Sequence, residues 1–184
     1  MIDKKIYMTS DLHLGHDKNF LYTPRGFKNI LEHDETIIKN WNSVINPEDH
    51  VYILGDLMLG DNEHGRKCLS QLKGHLHIVF GNHDTDTRKE IYSNLWNVDE
   101  ICGYATMLKY KKWSFYLSHY PSRASNYDDF IRGKRIINIC GHTHTADKFY
   151  DFKDEMICYH VELDAHNNTP ILLDQIIEDL KKKK

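Results

Sequence analysis

Five short apolar runs in this sequence each end in side chains that can bind a metal ion or move a proton. The most concentrated end is Asn82-His83-Asp84, which follows Ile78-Val79-Phe80 and Gly81. Asn82 offers an amide oxygen, His83 an imidazole that titrates near neutral pH, and Asp84 a carboxylate. The other four ends carry Asp11 and His13, Asp56, His119, and the pair His142 and His144.

These runs have the length and the β-branched content of buried strands. In α/β sheets, ligands bind beyond the carboxyl ends of the strands, so the five ends are expected to meet at one place. The Asp11-x-His13 and His142-x-His144 spacings put both side chains of a pair on the same side of an extended segment. The sequence therefore predicts one site with seven metal ligands: Asp11, His13, Asp56, Asn82, His119, His142 and His144.

Seven ligands are more than one ion needs, because a metal takes about four to six, and they suit two ions that share a carboxylate. Asp56 is the expected bridge, since it stands alone at its strand end while Asp11 is paired with His13. Two divalent ions about 4 Å apart would clamp a phosphoryl group and lower the pKa of a shared water, whose hydroxide form would attack phosphorus. His83 is surplus to coordination and is the expected general acid. This mixture of ligands suits manganese, iron, zinc, cobalt or nickel.

Composition narrows the class of substrate. The chain has 184 residues, a length typical of a single domain, here taken as 1–184. The net charge of −3 disfavours a surface that follows long nucleic acid. A small phosphate ester, nucleotides included, remains a suitable substrate because bound metal would supply positive charge locally.

The amino terminus has no apolar signal core, and no apolar stretch approaches the length of a membrane span. We therefore expect a cytoplasmic protein without a membrane partner. The four cysteines are widely spaced and form no Cys-x-x-Cys pair, so they are expected to be reduced: Cys68, Cys102, Cys140 and Cys158.

Hydrophobic spacing predicts helices over 30–45, 66–72, 85–96 and 171–180. Alternation predicts two antiparallel hairpins, one pairing 98–110 with 113–119 and one around Lys153-Asp154. Because βα units come first and strands dominate afterwards, we predict an α/β fold in which two packed mixed sheets form a β-sandwich core flanked by helices.

Two long polar segments, 14–27 and 120–132, are expected to line the site. They hold three candidate substrate contacts, His16, Arg25 and Arg123, each of which is also compatible with an ordinary surface position. Asp84 is predicted to cap the helix that follows it.

The ordered motifs Asp11-x-His13, Gly55-Asp56, Gly81-Asn82-His83-Asp84, His119 and Gly141-His142-x-His144 resemble the five-block signature of the calcineurin-like metallophosphoesterase superfamily. They span residues 11–144, and the opening block resembles that of small bacterial and phage phosphoesterases. The resemblance implies His83 as general acid and two ligand sets that share Asp56. One set is Asp11, His13, Asp56 and His144, and the other is Asp56, Asn82, His119 and His142.

One departure from the pattern of the superfamily narrows the class of expected substrates. Its protein serine/threonine phosphatases place an aspartate three residues after the second block and then an Arg-Gly pair, where this chain has Leu59, Gly60 and Asp61. The residue that orients the general acid in that branch is therefore absent, and protein phosphatase activity is not expected.

The sequence thus predicts a dinuclear metal-dependent hydrolase of phosphate mono- or diesters. Two alternatives are a catalytically silent binding or scaffold module of the same fold and a nuclease. The complete ligand set disfavours a silent module, and the net negative charge of the chain disfavours a nuclease.

Overall fold

The computed structural model of the protein describes residues 4–123, 136–151 and 157–183. Within these ranges, ten strands form two five-stranded sheets. The first sheet contains β1 (Ile6–Thr9), β2 (His50–Leu54), β3 (His75–Val79), β4 (Val98–Gly103) and β10 (Ile171–Leu172). Its order is β10-β1-β2-β3-β4, and β1 to β4 are parallel while β10 is antiparallel to β1.

The second sheet contains β5 (Ala105–Tyr110), β6 (Trp113–Ser118), β7 (Ile136–Cys140), β8 (Phe149–Asp151) and β9 (Ile157–His160). Its order is β5-β6-β7-β9-β8. The inner strands β6, β7 and β9 are parallel, and both edge strands are antiparallel to their neighbours. The predicted α/β fold with two packed mixed sheets is therefore confirmed.

The helices are α1 (Asn19–Tyr22), α2 (Ile30–Val44), α3 (Asn62–Leu69), α4 (Asp86–Ser93) and α5 (Leu173–Lys182). The helix predicted over 66–72 begins earlier because the Asp61 carboxylate accepts hydrogen bonds from the backbone N–H groups of Glu63 and His64, both at 3.0 Å. The helix predicted over 171–180 begins two residues later than expected, since Ile171 and Leu172 pair with β1.

Two apolar layers hold the sheets in place. One lies between the first sheet and the helices, where Trp41 of α2 packs with Val51 and Ile53 of β2. The other lies between the sheets and under α5, where Met8 and Leu54 of the first sheet join Phe115 of the second. All six side chains are fully buried, so the parallel strands are fixed on both faces.

The stretch 98–110, predicted as one strand, is two strands in different sheets. β4 pairs with β3, whereas β5 pairs with β6 in the predicted hairpin at Lys111-Lys112. Gly103, with φ of 76°, lies at the crossing between sheets. Alternation of side chains is the same in either sheet, so the pattern alone does not reveal the crossing. In the second predicted hairpin β8 pairs with β9, and the turn predicted at Lys153-Asp154 lies outside the described residues.

Cys140 and Cys158 lie on the adjacent strands β7 and β9 and form a disulfide. The prediction of four reduced cysteines is therefore wrong for this pair, and it is right for Cys68 and Cys102. The sequence spacing gave no sign of the pairing because the two strands become neighbours only in the folded sheet. Among the described helices, none combines the length and the apolar character needed to cross a bilayer.

Candidate metal centre

The predicted ligands follow the carboxyl ends of five strands at one edge of the sandwich. Loop-to-loop hydrogen bonds tie these ends together. The Asp11 N–H donates to the Gly55 carbonyl at 3.0 Å, and the Gly141 N–H donates to the His119 carbonyl at 3.0 Å. In each sheet, backbone hydrogen bonds therefore join neighbouring strand ends at the candidate site.

The backbone at most of the candidate ligands is left-handed. Of the eight described non-glycine residues with positive φ, five are predicted ligands. Such a conformation is uncommon for residues with a Cβ, costs about 1–3 kcal/mol in the less populated regions, and clusters at functional sites. The five are Asp11 (φ 57°), His13 (49°), Asp56 (56°), His142 (75°) and His144 (50°).

Gly55 and Gly81 let the loops approach each other closely. A Cβ atom on Gly55 would lie 2.5 Å from His119 Nδ1 and 2.7 Å from the Gly81 backbone. A Cβ atom on Gly81 would lie 2.8 Å from the Asp56 backbone nitrogen. The two glycines are therefore required by the short distance between the β2, β3 and β6 ends.

Asp84 does not cap α4, as the sequence suggested; Thr85 occupies the N-cap position. The buried Asp84 carboxylate instead accepts hydrogen bonds from the backbone N–H groups of Asp56 (2.9 Å) and Gly81 (2.7 Å), and from the Tyr92 hydroxyl (2.7 Å). Asp84 thus fixes the loop of Asp56 against the loop of Asn82.

We predict that Tyr92→Phe destabilises the protein by about 1–3 kcal/mol, because a buried carboxylate oxygen of Asp84 would lose its hydrogen-bond donor. Urea unfolding measures the change in the free energy of unfolding. Tyr104→Phe is the matched control: Tyr104 is 65% exposed, and a substitution there is expected to change stability by less than about 0.5 kcal/mol. Equal effects of the two substitutions would contradict the role assigned to Asp84.

The first group of ligand atoms surrounds His13. Its Nε2 lies 3.7 Å from Asp11 Oδ1, 3.2 Å from His144 Nε2 and 3.8 Å from Asp56 Oδ2. His144 Nε2 is itself 3.7 Å from Asp11 Oδ1. Two carboxylate oxygens and two imidazole nitrogens therefore face a common point.

The second group surrounds His119. Its Nε2 lies 2.8 Å from Asn82 Oδ1, 3.2 Å from His142 Nδ1 and 3.5 Å from Asp56 Oδ2. The His119 Nδ1–H donates to the Leu54 carbonyl at 2.8 Å, which leaves the Nε2 lone pair directed into the group. The structure thus brings all seven predicted ligands together in two groups that meet at Asp56.

Two features show that these residues fit cations. Asp11 Oδ1 is buried and has no hydrogen-bond partner among the described residues, although the sister oxygen accepts the His142 N–H at 2.9 Å. An unpartnered buried carboxylate oxygen is costly unless a cation neutralises it. In addition, Asp11 and Asp56 are almost completely buried.

The two carboxylates have different surroundings. Burial alone would raise the pKa of Asp11, but the neighbouring imidazoles of His13, His119 and His144 hold the pKa below its ordinary range. Burial raises the pKa of Asp56 against the opposing effect of His119. The Asp56 carboxylate is therefore short of positive charge in the protein alone, which a bound cation would supply.

Arg25 lies inside the protein and not at a substrate-facing surface. Its guanidinium donates to Asp164 through Nε (3.1 Å) and Nη2 (2.7 Å), and to the Asp11 carbonyl at 2.9 Å. Asp164 Oδ2 also lies 3.1 Å from His144 Nδ1. The structure therefore places Arg25 behind His144, with its side chain 1% exposed, and gives no support to the predicted substrate contact.

Asp164 is a functional residue that the sequence reasoning missed. It follows the apolar stretch that contains β9, within a short 3-10 helix over Leu163–Ala165. An apolar run ending in a carboxylate is the same signal that identified the other strand ends, and it was present here. The hydrogen bond to Asp164 places the His144 proton on Nδ1 and directs the Nε2 lone pair toward Asp11.

We predict that Asp164→Asn weakens metal binding about 10–100-fold, the loss typical of removing a carboxylate that orients a ligand histidine. The apparent Kd for Mn²⁺, measured by titration of chelator-treated protein, reports the change. Asp147→Asn, a substitution at an exposed aspartate three residues after His144, is expected to leave the Kd unchanged. An unaltered Kd for Asp164→Asn would show that His144 does not depend on this hydrogen bond.

His83 lies at the opening of the centre. Its side chain is 44% exposed, and its Nε2 is 4.0 Å from Asp56 Oδ2. Its backbone is held on both sides, because the N–H donates to Asp56 Oδ1 at 2.9 Å and the carbonyl accepts from Arg88 Nη1 at 2.5 Å. Among the described residues, none hydrogen-bonds the His83 ring.

The two remaining candidate substrate contacts are His16, which is partly buried, and Arg123, which is exposed. The His16 ring is next to His13, with ring centroids 5.9 Å apart, and burial together with the His13 charge lowers the pKa of His16 to about 4. His16 is therefore neutral near pH 7 and can contact a substrate only as a neutral hydrogen-bonding group. Arg123 is exposed at the end of the first described range, and most of the 120–132 segment lies outside the described residues.

The Calcineurin-like phosphoesterase superfamily domain matches residues 5–159 of the chain. The protein therefore belongs to the calcineurin-like phosphoesterase superfamily, as the five motifs suggested. The Uncharacterized protein MJ1445 of Methanocaldococcus jannaschii is 32% identical over 185 residues, covering 98% of this chain and 94% of its own. The Gene 66 protein of Mycobacterium phage L5 is 29% identical over 161 residues, covering 76% of this chain and 77% of its own.

Solved structures support the fold. A protein of unknown function, AQ665 from Aquifex aeolicus, superposes with a TM-score of 0.70 at 24% identity, over 97% of this chain and 100% of its own. An archaeal phosphodiesterase superposes with a TM-score of 0.51 at 20% identity, over 88% and 86% of the two chains. Both likenesses bear on the fold, and the superfamily match bears on the general class, a phosphoesterase.

Proposed function

We propose that the protein hydrolyses small phosphate esters, either mono- or diesters, at a centre of two divalent metal ions. The observation that carries this proposal is the position of Asp56 Oδ2, which lies 3.8 Å from His13 Nε2 and 3.5 Å from His119 Nε2. A single carboxylate oxygen thus faces the donors of both ligand groups, as a bridging ligand must.

Two ions would be held by ligand sets that share Asp56. When bound, such ions would polarise a phosphoryl group and lower the pKa of a water molecule between them. The mixed nitrogen and oxygen donors suit manganese, iron, zinc, cobalt or nickel. The first set is Asp11, His13, Asp56 and His144, and the second is Asp56, Asn82, His119 and His142.

His83 is the residue proposed to deliver a proton to the leaving oxygen. The hydrogen bonds of its backbone fix the Cα position, while the half-exposed imidazole is free to meet a substrate at the opening. The 4.0 Å distance from its Nε2 to Asp56 Oδ2 supports this role.

Two exposed aromatic rings make nucleotides the first esters to examine. Phe20, 74% exposed, lies against His16 with ring centroids 5.7 Å apart. Tyr120, 50% exposed, lies against His142 with centroids 4.6 Å apart. Nucleobases stack on such rings. We therefore infer a small substrate with a planar group. A cytoplasmic location of the protein is part of the same proposal.

The test is turnover by chelator-treated protein before and after addition of Mn²⁺, with aryl phosphomonoesters, aryl phosphodiesters, nucleotides and cyclic nucleotides as substrates. We expect no turnover without metal and turnover of at least one class after addition. Zinc, cobalt and nickel serve as alternative ions. A folded, metal-loaded protein that cleaves none of these esters would overturn the proposal.

A further inference from the structure

A second cluster of histidines lies at the opposite end of the first sheet. His50 and His75 begin the parallel strands β2 and β3, whereas the candidate metal centre lies beyond the carboxyl ends of these strands. The register pairs His50 with His75 and Tyr52 with His77, so all four side chains lie on one face. The length of β2 puts this cluster roughly 13 Å or more from Asp56.

A β-bulge in the neighbouring strand adds two carboxylates to this face. The pairing of β3 with β4 runs from Leu76 opposite Val98 to His77 opposite Glu100, so Asp99 is an extra residue. A bulge re-aims the side chain of the extra residue. As a result, the consecutive residues Asp99 and Glu100 both reach histidines of β3.

The distances within the cluster are those of a ligand set. The ligand atoms of His50, His77 and Asp99 all lie within 4.8 Å of one another. His50 Nδ1 is 2.9 Å from His77 Nε2, and Asp99 Oδ2 is 3.0 Å from His75 Nδ1. Two imidazole nitrogens thus point at each other beside a carboxylate.

The outer contacts have the pattern that supports metal-binding histidines. Glu100 Oε2 lies 3.0 Å from His77 Nδ1, which places the proton of that ring on Nδ1 and leaves a lone pair on Nε2. Tyr52 stacks on His77 with ring centroids 4.5 Å apart, and the His77 side chain is only 12% exposed. The ring is therefore held in a fixed orientation by a carboxylate on one side and an aromatic face on the other.

The charges around the cluster favour a cation. Asp99 and Glu100 contribute two carboxylates, and Lys4 is the lysine whose charge acts on His50. Burial first, and then the charges of His77 and His75, lower the pKa of His50.

We propose that His50, His77 and Asp99 bind one divalent transition-metal ion, with His75 and Glu100 orienting the ligands. Two imidazole nitrogens and a carboxylate oxygen are donors that zinc, nickel and copper accept. In the metal-free protein His50 Nδ1–H donates to His77 Nε2. Metal binding at His50 Nδ1 would need the other neutral tautomer, with the proton on Nε2, so that the lone pairs of His50 Nδ1 and His77 Nε2 could both face the ion. This site joins β2, β3 and β4 and is separate from the proposed phosphoesterase centre.

The test is a Zn²⁺ titration of the chelator-treated full chain against a chromophoric competitor. We compare the wild-type protein with the double variant His50→Gln/His77→Gln, after far-UV circular dichroism has shown that the variant is folded. The wild type is expected to bind one more zinc equivalent than the variant. Because the zinc is counted, the result is independent of whether the other centre hydrolyses any ester.

Asp99→Asn decides the matter if the double variant does not fold. It is expected to weaken binding of that one equivalent by at least about 10-fold, the lower end of the loss seen when a group supporting a metal site is removed. Asp86→Asn, which changes a fully exposed aspartate on α4, is the matched control and is expected to bind as the wild type does. Equal zinc stoichiometry and Kd for the wild type and either cluster variant would overturn the proposal.

Discussion

Asp56→Asn is expected to lower kcat/KM for every cleaved ester by at least about 10³-fold, beyond the 10²–10³ typical of losing one group that stabilises transition-state charge. Asparagine has nearly the same size as aspartate and can still accept the His83 N–H at the Oδ1 position. Its amide nitrogen would then replace Oδ2 between His13 and His119 and could not bind a cation.

Steady-state kinetics and the number of bound metal ions per chain measure this effect together. The variant should bind fewer ions and keep its fold, because the Asp56 backbone N–H still donates to Asp84. Asp86→Asn is again the control, since this side chain is fully exposed and pairs with Lys89. Full turnover by Asp56→Asn would remove the basis of the dinuclear proposal.

The grouping of the seven candidate ligands at one place could be predicted because each is encoded locally. An apolar run that ends in Asp56 or His119 indicates a strand end, and parallel strands bring such ends to one edge of a sheet. What joins the ends is not encoded locally. The sequence predicts that Asp84 caps a helix, because a carboxylate before a helix often does so. In the structure, the three hydrogen-bond donors to the Asp84 carboxylate come from two different loops and from α4.

The ion pair of Arg25 and Asp164 is a second contact that the local sequence does not encode, since the two residues are 139 positions apart. An arginine in a polar loop resembles a surface residue, and neither partner alone signals an ion pair. The pair forms because the 14–27 segment folds back under the Asp11 loop and meets the 3-10 helix after β9. Contacts of this kind depend on tertiary structure, for which the spacing of residues carries no information.

The two-sheet architecture was predictable from the order of the elements, whereas the crossing at Gly103 was not. Residues 98–110 alternate as a continuous strand would, and a change of sheet preserves that alternation. The bulge at Asp99 lies in the same stretch and is equally invisible in the pattern. Both features place side chains that the proposals above depend on.

His83→Asn is the second substitution with a large expected effect, a decrease in kcat of about 10²–10⁴-fold for esters with poor leaving groups. An alkyl or nucleoside oxygen needs a proton as the bond to phosphorus breaks, and in this chain the imidazole of His83 is the group proposed to give it. An aryl oxygen with a low pKa leaves without that proton, so its ester should lose much less activity.

The comparison between leaving groups separates proton donation from a merely structural role. If His83 only supported Asn82 or Asp56, its loss would weaken metal binding and lower kcat by the same factor for every ester. If it donates the proton, the decrease grows with the pKa of the leaving group, and the metal content stays that of the wild type. The 44% exposure of the ring favours the second outcome, because a histidine that served only to brace a ligand would be packed against that ligand and closed off from substrate.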